Sequence, residues 1–193
     1  TRTGTGKITA RDVKATLKNN TYTKVYDGTT DVKAGTAVVS GDNLIALEAQ
    51  SGTRGWIDGT LTRTAAYDTK NVSRDAGGTV QSGKRITYTN TFDSADTAAN
   101  YNITYVAADG TTPVAFTTSG LTSTYTTGTV NTITPKTVSV TAKSYADLTK
   151  TWDNTTVVRP SNGSDGLLAL DGIETVDTGT AVLNHPSAIG ADE

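Results

Sequence analysis

The segment Lys24-Val25-Tyr26-Asp27-Gly28-Thr29-Thr30 returns in altered form as Lys150-Thr151-Trp152-Asp153-Asn154-Thr155-Thr156, 126 positions later. An internal repeat constrains a fold strongly, because both copies must reach one structure by the same local rules. A second anchor fixes the register. Ile8-Thr9-Ala10-Arg11-Asp12-Val13 precedes the first copy as Ile133-Thr134-Pro135-Lys136-Thr137-Val138 precedes the second, at an offset of 125. This period lies well above the roughly 20 to 50 residues of solenoid repeats, so each copy is expected to be a self-sufficient domain. The 193 residues then divide into a first complete module, residues 1–134, and the start of a second, incomplete one, residues 135–193. A chain that opens at Thr1 and breaks off inside a repeat is expected to be a piece of a longer polypeptide.

Period-two alternation dominates between turn signals. Val13, Ala15 and Leu17 share a parity, as do Ile86, Tyr88 and Phe92, then Tyr101, Ile103 and Tyr105, and again Val138, Val140 and Ala142. Each set marks a half-buried strand with Thr or charge on its other face. Thr suits that place, since its branched Cβ favours extended backbone and its hydroxyl favours water. Turn chemistry recurs at Asp27-Gly28, Gly41-Asp42-Asn43, Asp58-Gly59, Gly77-Gly78, Asp109-Gly110 and Asn162-Gly163. Only Asp93 to Asn100 could form a helical turn or two. The fold expected is all-β: elongated antiparallel sandwich-like modules in tandem, with little or no helix. Thr132 to Lys136, with Pro135 barred from a central ladder, reads as the junction between modules.

With 6% aromatic residues, the core must come from Val, Ile, Leu, Ala and a few Tyr. Cysteine is absent, so disulfide staples, thiol nucleophiles and Cys-built metal sites are excluded. A net charge of −2 with charges scattered singly gives no footprint for nucleic acid. No apolar run approaches a membrane span, so no membrane insertion is expected.

Three blocks carry a resemblance: Lys24 to Thr30, Ala66-Tyr67-Asp68-Thr69-Lys70-Asn71-Val72, and Asp96-Thr97-Ala98-Ala99-Asn100-Tyr101-Asn102-Ile103. In this order, followed by Ile133-Thr134-Pro135-Lys136, they resemble the YDG repeat of large bacterial surface adhesins, including those exported by two-partner secretion like the filamentous haemagglutinins. The match spans roughly residues 8 to 134. In the second copy Trp152 and Asn154 replace Tyr and Gly, and the later blocks are missing. The resemblance implies a secreted stalk or biofilm-matrix module at the bacterial cell surface, with neighbouring repeats as partners and no assigned active site. Its motif residues here are Tyr26, Asp27, Gly28, Lys70, Asn71, Asn100, Tyr101, Trp152 and Asp153. Physically, Tyr26 and Trp152 read as aromatic plugs at a module's end, Asp27 as a turn cap and Thr29 as the start of a strand. Asn100-Tyr101 reads as a second turn with a plug.

Gly78 to Lys84 has phosphate-loop spacing, but Arg85 stands where magnesium needs a hydroxyl, and a strand pattern follows instead of a helix. His185 is the lone histidine. No cofactor is expected; calcium is the one ion that several loop-end carboxylates could recruit, with Asp27, Asp31, Asp42, Asp93, Asp96 and Asp109 as donors. An internal Lys–Asn amide bond could strengthen the module, with Lys24, Lys70 and Asn100 as candidates. Asn19, Asn71, Asn102, Asn154 and Asn162 open Asn-x-Ser/Thr triplets. The reading favoured is a non-catalytic stalk repeat that projects a distal binding region. One alternative is a glycan- or matrix-binding module using Trp56 beside Asp58 as a stacking platform. Another is a self-associating filament or surface-layer subunit completed by strand exchange.

Overall fold

The computed structural model describes residues 6–48, 57, 59–142, 154 and 168–171. Two compact units divide the chain, Thr1–Pro135 and Lys136–Glu193. In the first, the strands are β1 (Arg11–Leu17), β2 (Thr23–Val25), β3 (Lys33–Ala34), β4 (Ala37–Val38), β5 (Ile45–Leu47), β6 (Leu61–Tyr67), β7 (Ile86–Phe92), β8 (Tyr101–Val106), β9 (Thr117–Ser119), β10 (Thr122–Thr126) and β11 (Thr132–Thr134). The described helical residues are a 3-10 turn, Gly41–Asn43, the single residue Ile57, and α1, Ala95–Ala98, inside the predicted Asp93–Asn100 window. The Ser94 hydroxyl caps α1 by accepting from the Thr97 amide at 3.2 Å.

Two sheets build the unit, in the orders β5-β1-β8 and β6-β7-β10-β9, with two-stranded pieces β2–β11 and β3–β4. The first sheet turns Val13, Ala15, Leu17, Ile45, Leu47 and Tyr105 inward; the second contributes Leu61, Tyr67, Ile86 and Tyr88 to the same cluster. Each of the larger aliphatic side chains among them contributes roughly 1.5–3 kcal/mol through burial. The outer face of the second sheet is threonine in register. Thr87 faces Thr126 and Thr91 faces Thr122 across β7–β10, with hydroxyl pairs at 2.9 and 3.2 Å.

The fold is all-β, but its strand pairing departs from the antiparallel expectation at two places. β1 runs parallel to β8 from Arg11↔Tyr101 to Thr16↔Val106. β2 runs parallel to β11 from Thr23↔Thr132 to Val25↔Thr134. Alternation records only which face a residue occupies, and it is the same for both pairings. The expected junction, Thr132 to Lys136, is part strand. Its first three residues form a strand whose Ile133 is fully buried, and the unit boundary falls after Pro135.

In the second unit, β12 (Ser139–Ala142) pairs antiparallel with β13 (Leu168–Asp171). Asn154, at φ 64°, is the one non-glycine residue with positive φ among the described residues. It lies 126 positions after Gly28, at φ 74°. Asn enters the left-handed region more readily than other side-chain-bearing residues, so the repeat keeps its turn conformation where it loses glycine.

Candidate functional site

The Lys24–Lys33 segment folds around one carboxylate. Asp27 Oδ1 accepts from the Thr29 amide at 3.0 Å and its hydroxyl at 2.9 Å, closing an Asx turn for which Gly28 supplies the left-handed residue. Lys24 Nζ donates to the same oxygen and to the Thr29 carbonyl, each at 2.8 Å, and Lys33 Nζ reaches Asp27 Oδ2 at 2.6 Å. Lys24 is only 6% exposed, and its ammonium also lies 5.4 Å from the centre of the Tyr67 ring. Burial works against ionisation of Asp27, yet the bonds from Lys24, Lys33 and Thr29 outweigh it and hold the carboxyl well below the usual carboxylate range. Burial, with the nearby Tyr22 and Asp27 charges, pushes the Tyr67 phenol up to about 12.

Beside this turn, a buried amide joins three segments of the chain. Asn131 Oδ1 accepts from the Tyr22 amide at 2.9 Å, while its Nδ2 donates to the Lys84 carbonyl at 3.2 Å and to the Thr127 hydroxyl at 2.9 Å. The Asn131 and Lys84 backbones bond reciprocally at 3.0 and 3.1 Å. Lys84 Nζ donates to the Thr69 hydroxyl at 2.8 Å. Because a strand follows Lys84, the Gly78–Lys84 segment lacks the helix a phosphate loop requires. Elsewhere, Arg63 reaches from β6 through the core to Asp42 Oδ1 at 2.7 Å and to the Ile45 carbonyl at 2.9 Å, linking the two sheets.

The far end of β7 is aromatic and open. Phe92 stacks on Tyr101 at 6.3 Å with an interplanar angle of 7°. Both line a groove of about 290 Å³ with Ile103, Tyr105, Leu121 and Ser123. Nothing charged lines it.

The motif residues therefore take unequal places. Asp27 and Gly28 form the turn as read, but Thr29 stays within it and the next strand begins at Lys33. Tyr26 is half-buried against the core; Tyr22 and Tyr67 take the fully buried positions near it. Lys70 is half-buried and Asn71 exposed in the turn after β6. Asn100 Nδ2 donates to the Asp96 carbonyl at 2.9 Å, and Tyr101 opens β8, with three strands of the unit still to follow. Lys24 and Asn100 are thus engaged apart from each other, and Asp27, held ionised, is a poor acyl partner for an amide bond. Trp56, Asp58, Trp152, Asp153, Asn162 and His185 lie outside the described residues.

The calcium candidates do not converge. Asp27 is taken up by two lysines and Asp42 by Arg63, Asp31 bridges to Ala66, Asp93 follows β7, and Asp96 sits in the first turn of α1. Among the described residues, no three His, Cys, Asp or Glu side chains group as a metal would require. Sequence reasoning missed Asn131, Lys84 and Arg63 as interior residues, because partners such as Tyr22 for Asn131, Thr69 for Lys84 and Ile45 for Arg63 are remote in sequence. No protein-family model, curated protein or solved structure matches the chain.

Proposed function

We propose that this chain is a load-bearing spacer, a stalk repeat that holds a more distal region away from a bacterial surface. The observation that carries the reading is how the chain enters and leaves the first unit. It enters through β1, parallel to β8 over six residue pairs, and leaves through β11, parallel to β2. Tension drawn along a terminal strand shears such a ladder and loads its hydrogen bonds together, whereas pulling across a hairpin breaks them singly. The core and the interior polar bonds then resist the sliding of either strand. The internal repeat and the resemblance to YDG modules support the same reading and suggest an extracellular setting with like modules as partners. Single-molecule pulling tests it. Pulled through its termini, the first unit should rupture at a higher force than when pulled through Thr117→Cys and Thr124→Cys, the facing pair at the open end of the β9–β10 hairpin. Equal or lower terminal force overturns the proposal.

A second reading, a glycan-binding module, is favoured by the uncharged groove at Phe92 and Tyr101, since aromatic faces beside hydroxyls suit sugar rings. A saturable glycan signal lost in Tyr101→Ala would support it; no signal across a glycan array would remove it.

A further inference from the structure

Ile8 and Ile133 occupy the same place in the repeat and opposite places in the structure. Ile133 is fully buried at the centre of β11, while Ile8 is 96% exposed in a stretch without regular structure. Both introduce a module: Ile133-Thr134-Pro135 leads towards β12 as Ile8-Thr9-Ala10 leads into β1. Yet Ile133 belongs to the module behind it. β11 closes the first unit by pairing with β2, with the Thr132 amide bonded to the Tyr22 carbonyl at 3.0 Å and the Tyr26 amide to the Thr134 carbonyl at 2.8 Å. The Thr134 hydroxyl adds a bond to the Lys24 carbonyl at 3.2 Å.

We propose that Lys7-Ile8-Thr9 is a closing strand without its module, built to pair in parallel with the β2 of a like module placed before it. The residue types fit. Ile8 would enter the core at the Ile133 position, Thr9 would supply the hydroxyl of Thr134, and Lys7 would replace Thr132, which is only half-buried. Residues 6–10 are free of regular structure and thus available to extend. A partner of this kind follows from the observed pairing, because a parallel strand needs an edge with the spacing of β2 and a pocket for one branched side chain. As Ala10 alone separates Thr9 from β1, such a module would be joined to the first unit through a single residue, giving a short, stiff junction. The inference rests on the repeat and not on the load-bearing reading.

A fused chain tests it, with residues 1–131 running directly into residues 7–193 so that Lys7-Ile8-Thr9 follows the first Asn131. Amide exchange at Ile8 and Thr9, fast in the single chain, should slow to within about an order of magnitude of that at Ile133 and Thr134. Ile8→Ser, silent in the single chain, should then lower the melting temperature of the preceding module as much as Ile133→Ser lowers that of the single chain. Free exchange at Ile8 and Thr9 in the fused chain overturns the proposal. So does an unfolded preceding module, since the segment is claimed to suffice for closure. A failure here leaves the rupture-force comparison untouched, so the two proposals fall separately.

Discussion

Strand β7 begins among charges and ends among aromatic rings, and the two ends are built in different ways. At its start, Lys84, Asn131, Thr127 and Tyr22 join segments up to 109 positions apart, with the Lys24–Asp27–Lys33 turn alongside. At its finish, Phe92, α1 and Tyr101 come from neighbouring stretches of chain and leave a groove open. Polar groups cost several kcal/mol when buried alone and stabilise when partnered, so the first end specifies one arrangement of strands and tolerates no substitute partner. The second end is held by ring contact and area, which are forgiving. That difference places the unit's buried polar bonding beside β11, where the chain leaves it.

Substitutions at the two ends should separate accordingly. Asn131→Ala removes the acceptor of the Tyr22 amide and the donors to Lys84 and Thr127, so urea unfolding should show a loss of about 3 kcal/mol. A loss below about 1 kcal/mol would erase the proposed contrast. Lys24→Met removes one of the two lysines on Asp27, leaving Lys33 and the Thr29 bonds, and should cost about 2 kcal/mol. Because the folded Asp27 carboxyl is held well below the usual range, its stabilisation is complete above the unfolded-state value of about 3.9 and is lost as pH falls below it. Wild-type stability should therefore decline below about pH 4, and Asp27→Asn should flatten that decline. At the aromatic end, Phe92→Ala should cost about 1 kcal/mol, the scale of a half-buried stacked ring. Calcium should have the smallest effect of all. Titration to millimolar calcium, followed by thermal melting, should leave the first unit's transition in place, and an upward shift would mean that the Asp residues converge after all.

Much of this architecture is written locally and was readable. Val13, Ala15 and Leu17, or Ile86 and Tyr88, announce strands by their own spacing, and Asp27-Gly28 announces a turn through chemistry confined to three residues. Asn154 kept the turn visible even where glycine was gone. Lys24 was a candidate interior lysine, but its partners were illegible, because a lysine between Thr23 and Val25 looks like the wet face of a strand until Asp27, Thr29 and Tyr67 close around it. Asn131 carries no local signature at all, its role being fixed by Tyr22 and Lys84 across the fold. Within the expected junction the strand Thr132–Thr134 was illegible, because Pro135 signals a connection while the burial of Ile133 depends on β2 across the fold. Parallel pairing of β1 with β8 was illegible for a simpler reason: a strand's pattern does not encode its partner's direction.

In the proposed load-bearing role, the polar end anchors β11, the strand through which force would leave the unit. Terminal pulling of Asn131→Ala beside Phe92→Ala addresses it directly. The predicted result is a lower rupture force for Asn131→Ala and an unchanged one for Phe92→Ala. Equal shifts in the two variants, or a drop in Phe92→Ala alone, would contradict it.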